Sequence, residues 1–136
     1  MNKLIYSGVH SVEIYIQFDG QFLLKQNEYL ENIMLRTSLI RFLSQFELSV
    51  DEVKTRVTDE EFRVEDLIPF NEFIPFLIMD IKSIYWLDLV CTFLLNDQIQ
   101  FKLNSQALDL LRDKDSTAWL PQKEKHLIWK LVRKIS

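Results

Sequence analysis

Glycine is almost missing from this chain: 136 residues contain two, Gly8 and Gly20. Phosphate-cradling loops, dinucleotide fingerprints and nucleophile elbows all place glycine where backbone must approach a ligand or adopt a positive φ. Gly8 and Gly20 lie twelve residues apart and form none of these motifs. The length suits one domain that buries roughly two-thirds of the surface its unfolded chain exposes. A single globular domain over residues 1–136 is therefore expected. Ten Phe, four Tyr and three Trp predict an aromatic-rich core.

The one cysteine, Cys91, lies in the apolar run 89–93, where it reads as a buried, inert small hydrophobe. A lone cysteine supports no disulfide framework, which points to a reducing compartment and a cytoplasmic location. His10 and Glu13 interrupt the N-terminal apolar run too early for a signal-peptide core. The longest apolar region, 73–95, carries Asp80, Lys82 and Asp88 and is too broken to span a bilayer.

Residues 12–18 alternate, with Val12, Ile14, Ile16 and Phe18 on one face, and a second apolar run follows Asp19 and Gly20. Asp-Gly between apolar runs predicts a hairpin closed by a type I′ turn. Asn27 then reads as the cap of a helix over 28–46. Glu31, Ser38, Arg41 and Gln45 form its narrow polar stripe, and the rest of its circumference is largely apolar. Such a helix is central or lies at an interface. Ser49 with Glu52, and Thr58 with Glu61, match the capping-box spacing and predict two short helices between 50 and 67. Pro69 and Pro75 bracket an irregular connection.

From 76 to 95 the charges Asp80, Lys82 and Asp88 all occupy even positions, which fits a period of two. Strands are expected near 76–82 and 85–95, then a turn at Asn96 and Asp97 and a third strand over 98–103. Ser105 reads as the cap of a helix over 106–113, and Pro121 opens a last helix over 122–134. The pattern predicts an α+β fold: a mostly antiparallel sheet of about five strands, the N-terminal hairpin plus a three-strand run, with helices packed on one side.

Little in this inventory points to catalysis. His10 and His126 are the only histidines, neither has a metal-ligand spacing, and no Cys-x-x-Cys is present. No catalytic residue, metal site or cofactor is expected. Charge is more informative. Residues 47–66 hold eight acidic side chains, Glu47 with Asp51, Glu52, Asp59, Glu60, Glu61, Glu65 and Asp66, against Lys54, Arg56 and Arg63. The segment 121–136 holds five basic residues against Glu124. An acidic surface steers a basic partner and disfavours nucleic acid as the main ligand.

The last helix reads as amphipathic and basic, with Trp129 on its flank and its apolar face docked within the protein. In size and charge the chain resembles small acidic partner-binding proteins: bacterial immunity proteins, antitoxins and secretion chaperones. The missing catalytic machinery, the acidic block at 47–66 and the over-apolar helix 28–46 predict a non-catalytic module that neutralises or chaperones a basic protein, as such proteins do, with Asp51, Glu52, Asp59, Glu60, Glu61, Glu65 and Asp66 as its binding residues. The alternative is a small-molecule-binding or enzymatic domain whose pocket is lined by phenylalanine and anchored by Arg36. A homodimer through helix 28–46 or a sheet edge is compatible with both.

Overall fold

The computed structural model describes residues 2–135. By internal contacts the chain divides into an N-terminal unit ending at Pro69 and a C-terminal unit beginning at Phe70. The fold class is α+β. The N-terminal unit carries an antiparallel sheet in simple meander order, β1 (Lys3–Ser7), β2 (Val12–Ile16), β3 (Phe22–Gln26) and β4 (Tyr29–Asn32). After it come α1 (Arg36–Phe42), a 3₁₀ turn (Leu43–Glu47), α2 (Val50–Thr55) and α3 (Val64–Leu67). The C-terminal unit is helical: α4 (Phe70–Pro75), a π turn (Phe76–Asp80), α5 (Ile84–Leu95), α6 (Ser105–Arg112) and α7 (Gln122–Ile135). Among the described residues the sheet has four strands, all before residue 33, and not about five.

The hairpin of β2 and β3 forms where the alternation places it, pairing Val12 with Gln26 through Ile16 with Phe22. Its turn is one residue longer than a type I′ turn. Gln17 and Gln21 close it, Gly20 alone takes a positive φ of 88°, and Asp19 Oδ1 accepts from the Gln21 amide. Asn27, expected to cap a helix, has a φ of 55° and turns the chain from β3 into β4. The expected helix over 28–46 therefore loses its start to the sheet and survives only as α1 and the 3₁₀ turn.

The polar stripe of that segment faces inward. Ser38 and Gln45 are buried. Tyr29 on β4 shares hydrogen bonds with Thr37 Oγ1 (2.6 Å) and Ser38 Oγ (2.7 Å), and Ser38 donates to the Asn32 carbonyl. Arg41 donates to Gln26 Oε1 on β3 and lies 4.1 Å from the Tyr29 ring centroid. Gln45 reaches furthest. Its Oε1 accepts from the Tyr6 hydroxyl (2.8 Å) and the Val9 amide (3.1 Å), while Nε2 donates to the Val9 carbonyl (3.0 Å). The Tyr6 hydroxyl and the Gln45 amide are the buried members, and leaving either without a partner would cost about 1–3 kcal/mol.

Residues 56–59 run along β1. Ser7 donates to Arg56, Thr58 donates to Ile5, Tyr6 bridges Val57, and Lys3 pairs with Asp59 at 2.5 Å. The capping box at Ser49 and Glu52 is present. The one expected at Thr58 is not: Asp59 Oδ1 accepts from the Glu61 amide in a turn, and α3 starts later, with Asp66 accepting from the Arg63 amide.

Where strands were expected near 76–82 and 85–95, the chain is helical. Asp80 and Lys82 flank the break between the π turn and α5, and Lys82 has a φ of 45°. Their shared parity reflects a break and not a face. The period that counts is that of Leu87, Val90, Cys91 and Leu94, all buried along one side of α5. The segment over 98–103 does alternate in burial, with Ile99 and Leu103 buried, but it forms no strand among the described residues. Pro69 and Pro75 bracket α4 and no irregular loop. Asn104, one residue before Ser105, caps α6 by accepting from the Ala107 amide. Pro121 opens α7 as expected, and α7 packs on α5 and α6. No helix among the described residues is long and apolar enough to cross a membrane.

The two glycines serve different needs. A Cβ on Gly8 would run into Gln45 Oε1 and the Tyr6 ring, whereas one on Gly20 would meet nothing within 4 Å but would sit at a positive φ. Gly8→Ala is expected to lower stability by about 1–3 kcal/mol through crowding. Gly20→Ala is expected to cost about 1–2 kcal/mol through backbone conformation. Urea denaturation separates the causes: asparagine recovers most of the loss at 20 and deepens it at 8. The same response at both positions contradicts this assignment.

Candidate functional site

The acidic residues singled out from the sequence all lie in the N-terminal unit, but they do not act alike. Asp51 and Glu52 are exposed on the first turn of α2, where negative charge suits the helix dipole and Glu52 completes the capping box. Glu60 and Glu61 are exposed in the turn before α3, and Asp66 is exposed on α3 beside Arg63 (3.5 Å). Asp51 and Glu60 have no ion pair among the described residues.

Two members are structural. Glu65 is buried. Asp59 is sheltered and committed to Lys3, whose hydrogen bond, followed by that of the Glu61 amide, holds its carboxyl below the usual range. The exposed acidic surface is thus Asp51, Glu52, Glu60, Glu61 and Asp66.

Beside these carboxylates the unit exposes large apolar side chains. Ile40 on α1, Leu35 and Met34 just before it, and Leu30 on β4 are all exposed, Met34 at 55%. Glu28 and Glu31 are exposed on either side of Leu30. Arg36 is exposed at the first position of α1, among Met34, Leu35 and Thr37. Sequence reasoning recognised a surplus of apolar residues here. It did not identify which would face solvent, because it placed the polar stripe outward.

Six of the ten phenylalanines are buried in cores, Phe42, Phe46, Phe70, Phe73, Phe76 and Phe93, whereas Phe18 beside the β2–β3 turn is exposed. Phe42 packs against Tyr6 and Phe46 at centroid distances of 6.2 and 5.4 Å, and Phe70 packs against Phe93 and Phe101. Two cavities on the C-terminal unit have linings without phenylalanine.

The C-terminal unit also holds a titratable cluster that the sequence did not reveal. Glu124, on the first turn of α7, is 3% exposed and lies against Asp88 of α5. Burial, then the hydrogen bond and charge of Asp88, push the Glu124 carboxyl above its ordinary pKa. Asp88 Oδ1 is buried and receives no hydrogen bond from a nitrogen or hydroxyl among the described residues. The group it meets is the Glu124 carboxyl, which shares a hydrogen bond with Asp88. Lys123 sits 3.7 Å from Asp88 Oδ2.

One turn along α5, Cys91 is fully buried, and burial, with the charges of Asp88 and Glu124, pushes its thiol up to about 12. Burial keeps such a thiol protonated and shielded at neutral pH. Among the described residues no three His, Cys, Asp or Glu side chains are gathered to hold a metal ion.

The basic face of α7 is partly structural as well. Lys134 Nζ donates to the carbonyls of Leu94 (2.6 Å), Asn96 (2.7 Å) and Ile99 (3.1 Å), placing a cation at the C-terminal end of α5, where the helix dipole favours it.

Comparison with protein families, with curated proteins and with solved structures finds no match for this chain.

Two outcomes follow from the cluster. In the unfolded chain Glu124 titrates at its ordinary pKa. Between that value and the raised one the folded protein holds the proton more tightly, so stability falls as pH rises through this window. Below it both states are protonated and the penalty disappears. Glu124→Gln keeps a donor towards Asp88 and removes the titration. Its Tm is expected to exceed that of the natural chain near about pH 7, with the gap closing below about pH 4. Parallel Tm profiles for the two proteins would show that Glu124 ionises normally.

Cys91 is expected to resist alkylation in buffer and to react fully in denaturant. Rapid labelling of the native protein would contradict its burial.

Proposed function

We propose that this chain is a non-catalytic protein-binding module whose N-terminal unit docks a basic partner protein. In this reading it neutralises or chaperones that partner, as immunity proteins, antitoxins and secretion chaperones do. The observation that carries the proposal is the coincidence, in one small unit, of exposed apolar side chains and exposed carboxylates. Leu30, Met34, Leu35 and Ile40 are the kind of groups that an interface buries, since monomers seldom leave several large apolar residues clustered in one stretch of chain on their surface. Glu28, Glu31, Asp51, Glu52, Glu60, Glu61 and Asp66 give the same unit a negative field. Apolar groups hold the complex together and slow its dissociation, whereas peripheral charge mainly raises the association rate.

The sequence supports the non-catalytic part, because its two histidines and one cysteine form no nucleophile–base or ligand spacing. A second exposed apolar group, Met79, Ile81, Ile84 and Tyr85, lies on the C-terminal unit. Charges of both signs, Asp80 and Lys82, interrupt it.

The two contributions separate kinetically. A partner captured from a lysate of the source is to be identified and its binding followed at several salt concentrations. Reversing Glu60 and Glu61 together to Lys is expected to slow association by about ten-fold at low salt, with the difference vanishing at roughly 1 M, where the Debye length is about 3 Å. Ile40→Ser is expected to speed dissociation by about ten-fold, near 1.4 kcal/mol, and to leave association unchanged. Association that is indifferent to the reversal at every salt concentration removes the acidic surface from the mechanism. Dissociation that is indifferent to Ile40 removes the apolar group.

A further inference from the structure

The C-terminal unit carries a second candidate site, independent of the acidic surface. We propose that the cleft bounded by the end of α6, the turn at 113–117 and the outer side of α7 binds a medium-chain carboxylate. Leu111 and Ile128 are buried at its apolar floor, and Val132 and Trp129 complete the lining with Thr117. The remaining lining residues are Arg112, Lys114 and Lys125. All three are exposed cations, none has an ion pair among the described residues, and no carboxylate contributes to the lining. An apolar floor under a rim of one sign is complementary to a ligand with an apolar body and an anionic head. Charge near low-dielectric walls acts more strongly than the same charge in open solvent.

One wall is held in place before any ligand arrives. The Trp129 indole stacks on the His126 ring at 5.6 Å and 15°, and the Arg133 guanidinium lies 4.7 Å from its centroid on the same helix. Two neighbours a turn away on either side restrict its rotamer, so little side-chain entropy is lost on binding.

Size selects the chemical class. The cavity volume of about 320 Å³ equals that of about ten waters at ~30 Å³ each, room for a chain of about ten carbons. A phosphate or other small inorganic anion would leave the apolar floor wet. A nucleic acid strand would find one indole and no row of stacking platforms.

Decanoate, used well below the concentration at which it forms micelles, is the probe, with decanol as its neutral counterpart and calorimetry of the full chain as the measurement. One site per chain is expected, with decanoate binding at least ten-fold tighter than decanol. Arg112→Glu with Lys125→Glu is expected to weaken decanoate at least ten-fold and to leave decanol unchanged. Both residues are exposed, so the fold is expected to survive, and circular dichroism verifies that it does. Val132→Trp, which fills the cleft and keeps the cations, is expected to abolish binding of both.

The proposal is overturned if decanoate binds no tighter than decanol, if it binds at many sites as a detergent does, or if the charge reversal leaves its affinity unchanged. An acidic peptide that binds one site while decanoate does not also overturns it, and gives the cleft to a protein partner.

Discussion

A buried glutamine organises the N-terminal unit. Gln45 has a partner on each side of its amide: Tyr6 and Val9 give hydrogen bonds to its oxygen, and the Val9 carbonyl takes one from its nitrogen. The half-buried turn between β1 and β2 is closed by the Gly8 amide on the Val12 carbonyl, and Gln45 takes up both the amide and the carbonyl of Val9. Gly8 is required where it stands because the amide lies against it. Arg41 and Ser38, one and two turns earlier, continue the same inward polar seam to β3 and β4. A polar seam of this kind favours one register, since sliding α1 by a residue would strand several buried donors at once.

The surface follows from the seam. A short helix that turns its polar side inward must leave part of its apolar side outward, and Ile40, with Leu35 and Met34 just before it, is what remains. The carboxylates around the sheet and α2 then surround these residues in sequence, while Asp59 and Glu65 are withdrawn into structural roles. The N-terminal unit is thus organised inside by neutral hydrogen bonds and outside by apolar groups and negative charge. The C-terminal unit has a different logic. There ionisable side chains join the helices, with Glu124 of α7 against Asp88 of α5 and Lys134 on the carbonyls at the end of α5. Its exposed cations are left to a cleft.

How much of this could be read in the residues depended on whether a signal was local. The hairpin of β2 and β3, the capping box at Ser49, the helix after Pro121 and the burial of Cys91 each rest on a few neighbouring residues, and each is present. Gly20 announced a turn correctly, but two residues cannot say whether a third belongs to it. Longer-range features went astray. Ser38 and Gln45 look like a solvent stripe until Tyr6, Val9 and Asn32 supply partners, and nothing near them in sequence indicates that.

The helix α5 was legible in the spacing of Leu87, Val90, Cys91 and Leu94, yet three charges of equal parity outweighed it. Two of those charges mark a chain break, where parity carries no meaning. The acidic block was visible as composition, but only the fold distinguishes Asp59 and Glu65 from the six carboxylates that remain exposed. The Glu124–Asp88 pair needed two helices 36 residues apart to meet, which no single stretch could disclose.

The central claim is that the partner covers the apolar and acidic surface of the N-terminal unit. Two methionines make it directly measurable, because Met34 and Met79 are each 55% exposed, one on each unit. Mild peroxide oxidation followed by peptide mass analysis, with and without the captured partner, reads both in one experiment. The account predicts that both sulfurs oxidise readily in the free protein, and that the partner protects Met34 and leaves Met79 as reactive as before. Protection of Met79 with Met34 still reactive would place the interface on the other unit and contradict it.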